Sequence, residues 1–109
     1  MEAFKTAHLL INKRYKGKQV YLVERQLDYH HYYCGYVETN KHYLTEDDEE
    51  LLQLSVFGGI TFTGKPQDID LDDKDINIIG FDTLDGDMPV ERAVANLQDL
   101  VDQVIEMEK

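Results

Sequence analysis

The chain is predicted to fold as one α+β domain, residues 1–109. A mostly antiparallel sheet of about four or five strands is packed by a C-terminal amphipathic helix, with a further helix at the N-terminus. Three observations support this prediction. Runs rich in β-branched and aromatic residues occupy the middle of the chain. Apolar residues recur at helical spacing near both ends. The length of 109 residues is that of one ordinary domain.

The first element is predicted to be a helix over residues 2–16. Gly17 follows as a typical helix stop. The apolar positions at helical spacing are Phe4, Ala7, Ile11 and Tyr15.

Two strand-like runs follow, QVYLVERQ (19–26) and HYYCGYVE (31–38), and a short polar turn between them predicts an antiparallel hairpin. Side chains alternate between the two faces of a strand. In the second strand one face carries Tyr33, Gly35 and Val37, and the other carries Tyr32, Cys34 and Tyr36. Both faces are apolar enough to be covered, which also allows a homodimer.

The second half of the chain begins with a predicted acidic helix at residues 45–53, capped by Thr45. The glycine pair at 58 and 59 predicts a tight bend between two short apolar runs. Residues 67–75 are a polar connection, and INIIGFD (76–82) is a strand. From Val90 onward, helical spacing predicts an amphipathic helix. Its apolar positions are Val90, Ala93, Val94, Leu97, Val101, Val104 and Ile105.

Charge is unevenly distributed along the chain. The net charge is −11, with +3 in residues 1–44 and −14 in residues 45–109. Such a field repels nucleic-acid backbones and attracts cations or basic protein surfaces, so direct nucleic-acid binding is not expected. An acid at position 2 and basic residues after the apolar patch are the reverse of the order in a secretory signal. No apolar run is long enough to span a bilayer. We therefore expect a cytoplasmic protein that does not bind membranes.

The usual signatures of metal and catalytic sites are missing. One cysteine, Cys34, forms neither an internal disulfide nor a CxxC motif. The run that starts at Asp68 resembles a calcium loop, but Asp73 replaces its glycine and Ile79 its glutamate. His30, Cys34 and His42 follow no zinc spacing, and no G-x-S-x-G, P-loop or HExxH motif occurs. No metal, cofactor or catalytic residue is predicted from these patterns.

The stretch GFDTLDGDMP (80–89) is more suggestive. Asp82, Asp85 and Asp87 lie between a predicted strand and a predicted helix. Clustered carboxylates at such a place bind ligand hydroxyls, amines or cations. The structural alternative is a turn at Asp85 and Gly86, with Asp87 capping the helix.

Three segments together resemble a group of small phage and prophage proteins. They are GYVETNKHY (35–43), FGGITFTG (57–64) and IIGFDTLDGD (78–87). The matching positions are Gly35, Tyr36, Val37, His42, Gly58, Gly59, Ile60, Thr61, Gly80, Phe81, Asp82, Gly86 and Asp87. The chain departs from the group at Phe57 and Asp85, which replace histidines, and at its lost tryptophans.

This resemblance implies a glycine and aspartate framework in a bacterial host cell. The expected function is an accessory protein that binds a small polar, nucleotide-like ligand or a partner through one pocket. The predicted ligand-binding residues are Tyr36, His42, Gly58, Gly59, Thr61, Asp82 and Asp87.

Two alternatives stay open. The first is an acidic inhibitor that mimics nucleic acid toward a host defence enzyme, with partner-binding residues Glu46, Asp47, Asp48, Glu49, Glu50, Asp70, Asp72 and Asp73. The second is a metal-dependent or acid/base hydrolase that uses Asp82, Asp87 and His42.

Overall fold

A computed structural model describes residues 7–27 and 30–109, which form an antiparallel sheet of five strands with helices packed beside it. The strands are β1 (Ala7–Tyr15), β2 (Lys18–Leu27), β3 (His30–Thr39), β4 (Phe62–Gly64) and β5 (Asn77–Asp82). The helices are α1 (Glu49–Leu52), a 3-10 helix (Pro66–Ile69) and α2 (Val90–Met107). Across the sheet the order is β1-β2-β3-β5-β4. The predicted α+β class, the antiparallel sheet and the C-terminal helix are confirmed.

The predicted N-terminal helix is wrong. Residues 7–15 form the edge strand β1, paired antiparallel with β2, whereas Phe4 lies outside the described residues. Lys16 and Gly17 are the two turn residues between these strands, with φ of 54° and 85°. Two successive left-handed residues define a type I′ turn, whose twist matches that of a hairpin. Ile11 and Tyr15 are four residues apart, a spacing that places them on one face of a strand as well as of a helix.

The predicted hairpin of β2 and β3 is confirmed, and so is the alternation in β3. Tyr33 and Val37 belong to the core on the α2 side, and Gly35 faces the same way. A Cβ atom on Gly35 would lie 2.5 Å from the Phe81 ring, so glycine is needed for this ring to cross the strand. Tyr32, Cys34 and Tyr36 lie on the other face.

The amphipathic helix α2 covers one face of the sheet, as predicted. Its apolar stripe packs on side chains of β2, β3 and β5, which burial removes from water. The buried helix residues are Ala93, Leu97, Leu100, Val101 and Val104. Tyr43 and Leu51 extend this core toward α1.

The opposite face is covered by the segment from Phe62 to Ile76. Its apolar side chains Phe62, Ile69, Leu71 and Ile76 pack on a second core, formed by Tyr21, Val23, Cys34, Tyr36 and Ile78. The Tyr21 hydroxyl donates a 2.6 Å hydrogen bond to Asp72 and ties this segment to β2. Both faces of the central strands are therefore covered within the chain, whereas Leu9 and Leu10 of the edge strand β1 are 45% and 46% exposed.

The acidic helix is shorter than predicted. The α1 helix spans four residues, and Asp48 caps it by accepting a hydrogen bond from the backbone of Glu50. The proposed cap Thr45 lies outside the helix, and its hydroxyl accepts instead from the backbone of Asp47. In the described residues, no helix is both long and apolar enough to cross a membrane.

Candidate functional site

Asp82 ends β5 directly opposite Cys34 of β3, so its side chain lies on the sheet face away from α2. One carboxylate oxygen accepts a 2.9 Å hydrogen bond from the Thr61 hydroxyl. The other accepts a 3.1 Å hydrogen bond from the backbone nitrogen of Leu84. These two bonds fix the carboxylate, and each of its oxygens retains a further acceptor position.

The glycine pair places Thr61 beside Asp82. Gly58 and Gly59 have φ of 73° and 76°, a left-handed conformation that side chains with a Cβ atom rarely adopt. The Thr61 backbone nitrogen then donates a 2.8 Å hydrogen bond to the carbonyl of Gly80. A Cβ atom on Gly58 would lie 3.5 Å from the Asp82 carbonyl oxygen, so this turn lies against the end of β5.

Phe57 stands where the sequence resemblance to the phage proteins would place a histidine. Its ring lies against Gly86, where a Cβ atom would come within 2.6 Å of it. Phe57 thus packs the turn that contains Asp85 and Asp87 against the glycine turn. The apolar contact between Phe57 and Gly86 therefore replaces the histidine that the resemblance would place there.

Tyr36 lies beneath the site. It is 5% exposed, and its ring crosses Gly80, where a Cβ atom would lie 2.3 Å from Tyr36. The ring also meets Phe62 edge-on, with centroids 5.7 Å apart. Burial lowers the pKa of the Arg25 guanidinium, but Tyr36 and Cys34 on the same sheet face raise it above its usual value. Tyr36 therefore forms the buried floor of the site over Gly80, on the same sheet face as Arg25.

Sequence reasoning missed three residues of this site: Arg25, His30 and Tyr32. Arg25 pairs with Tyr32 across β2 and β3, which puts both on the face of Asp82. His30 precedes Tyr32 on that face, and their rings stack with centroids 6.3 Å apart and planes inclined by 15°. The two-residue alternation of β3 contained this signal. The name Asp82 site is used below for Arg25, His30, Tyr32, Thr61 and Asp82, with the glycine pair beside them.

The electrostatics of the site follow from burial and from two opposite charges. Burial raises the pKa values of Tyr36 and Cys34. Cys34 therefore stays a thiol near neutral pH, which does not favour a thiolate nucleophile. Burial also raises the pKa of Tyr32, on which Arg25 and Asp82 act with opposite sign. The charges of Arg25 and Asp82 therefore both influence the pKa of the Tyr32 phenol.

The structure does not bring His42 to this site. The β3 strand pairs with β5 from Cys34 opposite Asp82 to Thr39 opposite Asn77, and His42 follows at the far end. Its neighbours Lys41 and Tyr43 line a cleft with the last turn of α2. A hydrolase that combines His42 with Asp82 is therefore not supported by the arrangement of the described residues.

Asp87 lies exposed in the turn before α2, close in sequence to Asp82 but with no capping role. Pro89 holds the N-cap position of α2, without a side-chain capping bond. Capping by Asp87, the structural alternative to a ligand role, is therefore wrong. The turn at Asp85 and Gly86 is present, and the Gly86 nitrogen donates to the carbonyl of Thr83 at 3.0 Å.

The two acidic segments lie on different sides of the sheet. Residues 46–50 flank Leu51, which belongs to the core under α2, whereas Asp70, Asp72 and Asp73 flank side chains of the opposite core. Hydrogen bonds from Tyr21 and Lys74 outweigh the effect of burial and lower the pKa of Asp72. The single acidic arc expected of a nucleic-acid mimic is thus divided by the sheet.

No group of three or more His, Cys, Asp or Glu side chains within the described residues is arranged to hold a metal ion. Comparison with models of protein families, with curated proteins and with solved structures finds no match to this chain.

Proposed function

We propose that this chain is a phage or prophage accessory protein that binds a small nucleotide-like ligand at the Asp82 site. The phage assignment rests on the resemblance of residues 35–87. The ligand class rests on one observation: a fixed carboxylate, a pair of stacked aromatic rings and an arginine share one end of one sheet face. Each of these groups matches one part of a nucleotide.

The base is matched by Asp82 and Tyr32. The two hydrogen bonds to Asp82 leave one acceptor position on each oxygen, side by side. The Watson–Crick edge of guanine offers two adjacent donors, N1–H and N2–H, with the same spacing. The half-buried ring of Tyr32, backed by His30, is a stacking surface of the kind that proteins use for unpaired bases. We therefore infer a guanine nucleotide as the best-matched ligand.

The phosphate is matched by Arg25. A guanidinium group binds phosphate through paired hydrogen bonds, and Arg25 lies on the same sheet face as Tyr32 and Asp82. The net charge of −11 would oppose an anionic ligand in general. The strands β2 and β3, however, belong to the first 44 residues, whose net charge is +3. Arg25, which would meet the phosphate, therefore lies in the less acidic part of the chain, whereas Thr61 and Asp82 belong to residues 45–109.

Calorimetric titration of the full chain with guanosine monophosphate and with adenosine monophosphate tests this proposal. We expect guanosine monophosphate to bind, and Asp82→Asn to weaken its binding about tenfold or more, because the amide presents a donor toward the base edge. Asp73→Asn is the matched control, since it removes the same charge from an exposed loop and should leave the affinity unchanged. Equal weakening by both variants, or equal affinity for the two nucleotides, would contradict the proposal.

A second candidate function, an acidic inhibitor of a basic protein surface, is favoured by exposed leucines. Leu44 is 87% exposed and Leu52 is 66% exposed, and they lie on either side of the acidic run 46–50. Exposed apolar side chains beside clustered charges are typical of protein-binding surfaces. This surface lies on the α2 side of the sheet, away from the Asp82 site.

The two functions differ in which variants matter. Binding to a nuclease through the acidic run would decrease with rising salt and would be lost in the double variant Leu44→Ser, Leu52→Ser. Asp82→Asn would leave that binding intact. A pull-down of a purified nuclease that survives the leucine changes would contradict the inhibitor function.

A further inference from the structure

We propose a second binding site, at the opposite end of the sheet, for a linear polyamine. The site is an open cleft of about 200 Å³ between the loop after β3, the α1 helix and the end of α2. The name Tyr43 cleft is used below for its lining residues: Asn40, Lys41, Tyr43, Glu50, Met107 and Glu108. Nothing in the proposed nucleotide site depends on it.

The cleft already holds an ammonium group. The Lys41 Nζ atom lies 5.1 Å from the centroid of the Tyr43 ring and 2.8 Å from Glu50 Oε1. An aromatic face and a carboxylate together form the usual recognition site for an organic cation. The Tyr43 hydroxyl donates a 3.0 Å hydrogen bond to Glu50 and orients the carboxylate for this purpose.

Lys41 occupies this position reversibly. Its side chain is 59% exposed, whereas Tyr43 beneath it is only 4% exposed. An exposed lysine side chain leaves such a place at little energetic cost, because surface ion pairs are weak. When Lys41 swings into solvent, the face of the Tyr43 ring and the Glu50 carboxylate become available to another ammonium group.

The neighbouring surface extends the cleft in one direction. A second cleft of about 440 Å³ shares Glu50 and Met107 with the first. It adds one carboxylate, two amides and an apolar side chain, from Glu106, Gln53, Gln103 and Leu54. Apolar side chains flanked by carboxylates suit methylene segments between ammonium groups. The two clefts together are therefore longer than a single amine requires, and they fit a polyamine such as spermidine.

The charge of the chain favours the same class of ligand. Residues 45–109, which contribute α1 and α2, carry a net charge of −14. A field of this sign concentrates multivalent cations near the surface. Charge alone would bind multivalent cations at many places on the acidic surface. An experiment must therefore distinguish binding in the Tyr43 cleft from this non-specific attraction.

Calorimetric titration of matched variants with spermidine distinguishes the two kinds of binding. Spermidine should bind the wild type, and Glu50→Gln should weaken it about tenfold or more, whereas Glu49→Gln, an adjacent exposed change of equal charge, should not. Lys41→Met should strengthen binding about threefold or more, because it removes the internal competitor. Lys74→Met makes the same charge change outside the cleft and should have little effect.

Three results would overturn the proposal. The first is equal weakening by Glu50→Gln and Glu49→Gln, which would mean adventitious binding to the acidic surface. The second is unchanged or weaker binding in Lys41→Met. The third is that N-acetyl-lysine amide binds as tightly as spermidine, which would point to a lysine side chain of a partner protein instead. The melting temperatures of Glu50→Gln and Glu49→Gln, measured beside the titrations, separate loss of the carboxylate from loss of the fold.

Discussion

The Thr61 hydroxyl donates a 2.9 Å hydrogen bond to the Asp82 carboxylate, and this bond joins the glycine turn to the end of β5. The same carboxylate accepts from the Leu84 nitrogen in the turn that follows. One side chain therefore holds two turns together at the edge of a stacked pair of aromatic rings. This arrangement is the structural basis of the proposed nucleotide site.

Thr61→Val should lower the free energy of unfolding by about 0.5–1 kcal/mol, because it removes one partly solvated hydrogen bond without changing the shape of the side chain. Urea denaturation measures this change. The loss should be much smaller when Asp82 is already replaced by asparagine, which weakens the charged acceptor. Fully additive losses in the double variant would show that the bond contributes nothing to stability.

Gly80→Ala should destabilise the fold by about 3 kcal/mol. The added Cβ atom would lie 2.3 Å from the Tyr36 ring and 2.8 Å from the backbone oxygen of Gly35, and the latter cannot move freely. Gly59→Ala is the control, since nothing lies within 4 Å of its Cβ position. Its left-handed φ of 76° should cost only about 1 kcal/mol. Equal losses in thermal or urea unfolding would contradict the close contact at Gly80.

The stability of the chain in acid should depend on Asp72. Its pKa is lowered from the usual 3.8 by hydrogen bonds from Tyr21 and Lys74, against the opposing effect of burial. A lowered pKa in the folded state means that the ionised carboxylate stabilises the fold. This contribution is complete above the unfolded pKa and disappears as the pH falls through the folded one.

Tyr21→Phe should therefore lower stability near neutral pH and make the remaining stability less dependent on pH below about 4. Unfolding in urea at several pH values measures both effects. Leu71→Ala is a useful control, since it weakens the same covering segment without touching the hydrogen bond. An unchanged pH dependence in Tyr21→Phe would contradict the role of the 2.6 Å bond between Tyr21 and Asp72.

The C-terminal end of α2 should depend on the ion pair between Lys18 and Glu108. Both side chains are nearly buried, at 10% and 12% exposure, and Glu108 also accepts a 2.7 Å hydrogen bond from the backbone of Asn40. Glu108→Leu should cost about 3 kcal/mol, because it leaves the Lys18 ammonium group desolvated and unpaired.

The double variant Lys18→Met, Glu108→Leu should recover a large part of that loss, since two apolar side chains replace a buried pair of charges. Thermal unfolding of the two single variants and the double variant measures the coupling. A double variant that is less stable than the wild type by the full sum of the two single losses would exclude a direct pair.

The sequence predicts an element correctly where its apolar residues follow a single period, either that of a helix or that of a strand. The C-terminal helix and the alternation of β3 were both predicted, because each apolar pattern fits only one kind of element. The N-terminal helix failed because a spacing of four residues suits a strand as well as a helix. The decisive signal was the Lys16 and Gly17 turn, whose left-handed backbone makes a hairpin instead of ending a helix.

The candidate site was predicted only in part, for a reason of geometry. The sequence predicts Thr61 and Asp82 as ligand-binding residues, and a hydrogen bond joins them directly. It also predicts His42, but the strand pairing places His42 at the other end of the sheet. Arg25 was missed because its place depends on the register between β2 and β3, which a motif search does not use.

An amide NMR titration of the full chain with guanosine monophosphate tests the nucleotide site most directly. We expect the largest shift changes at residues 58–61 and 82–86 and along β3 near Tyr32. We also expect Asp82→Asn to abolish them at the same ligand concentration. Changes confined to other parts of the chain, or changes at these residues that persist unaltered in Asp82→Asn, would contradict a nucleotide site built on Asp82.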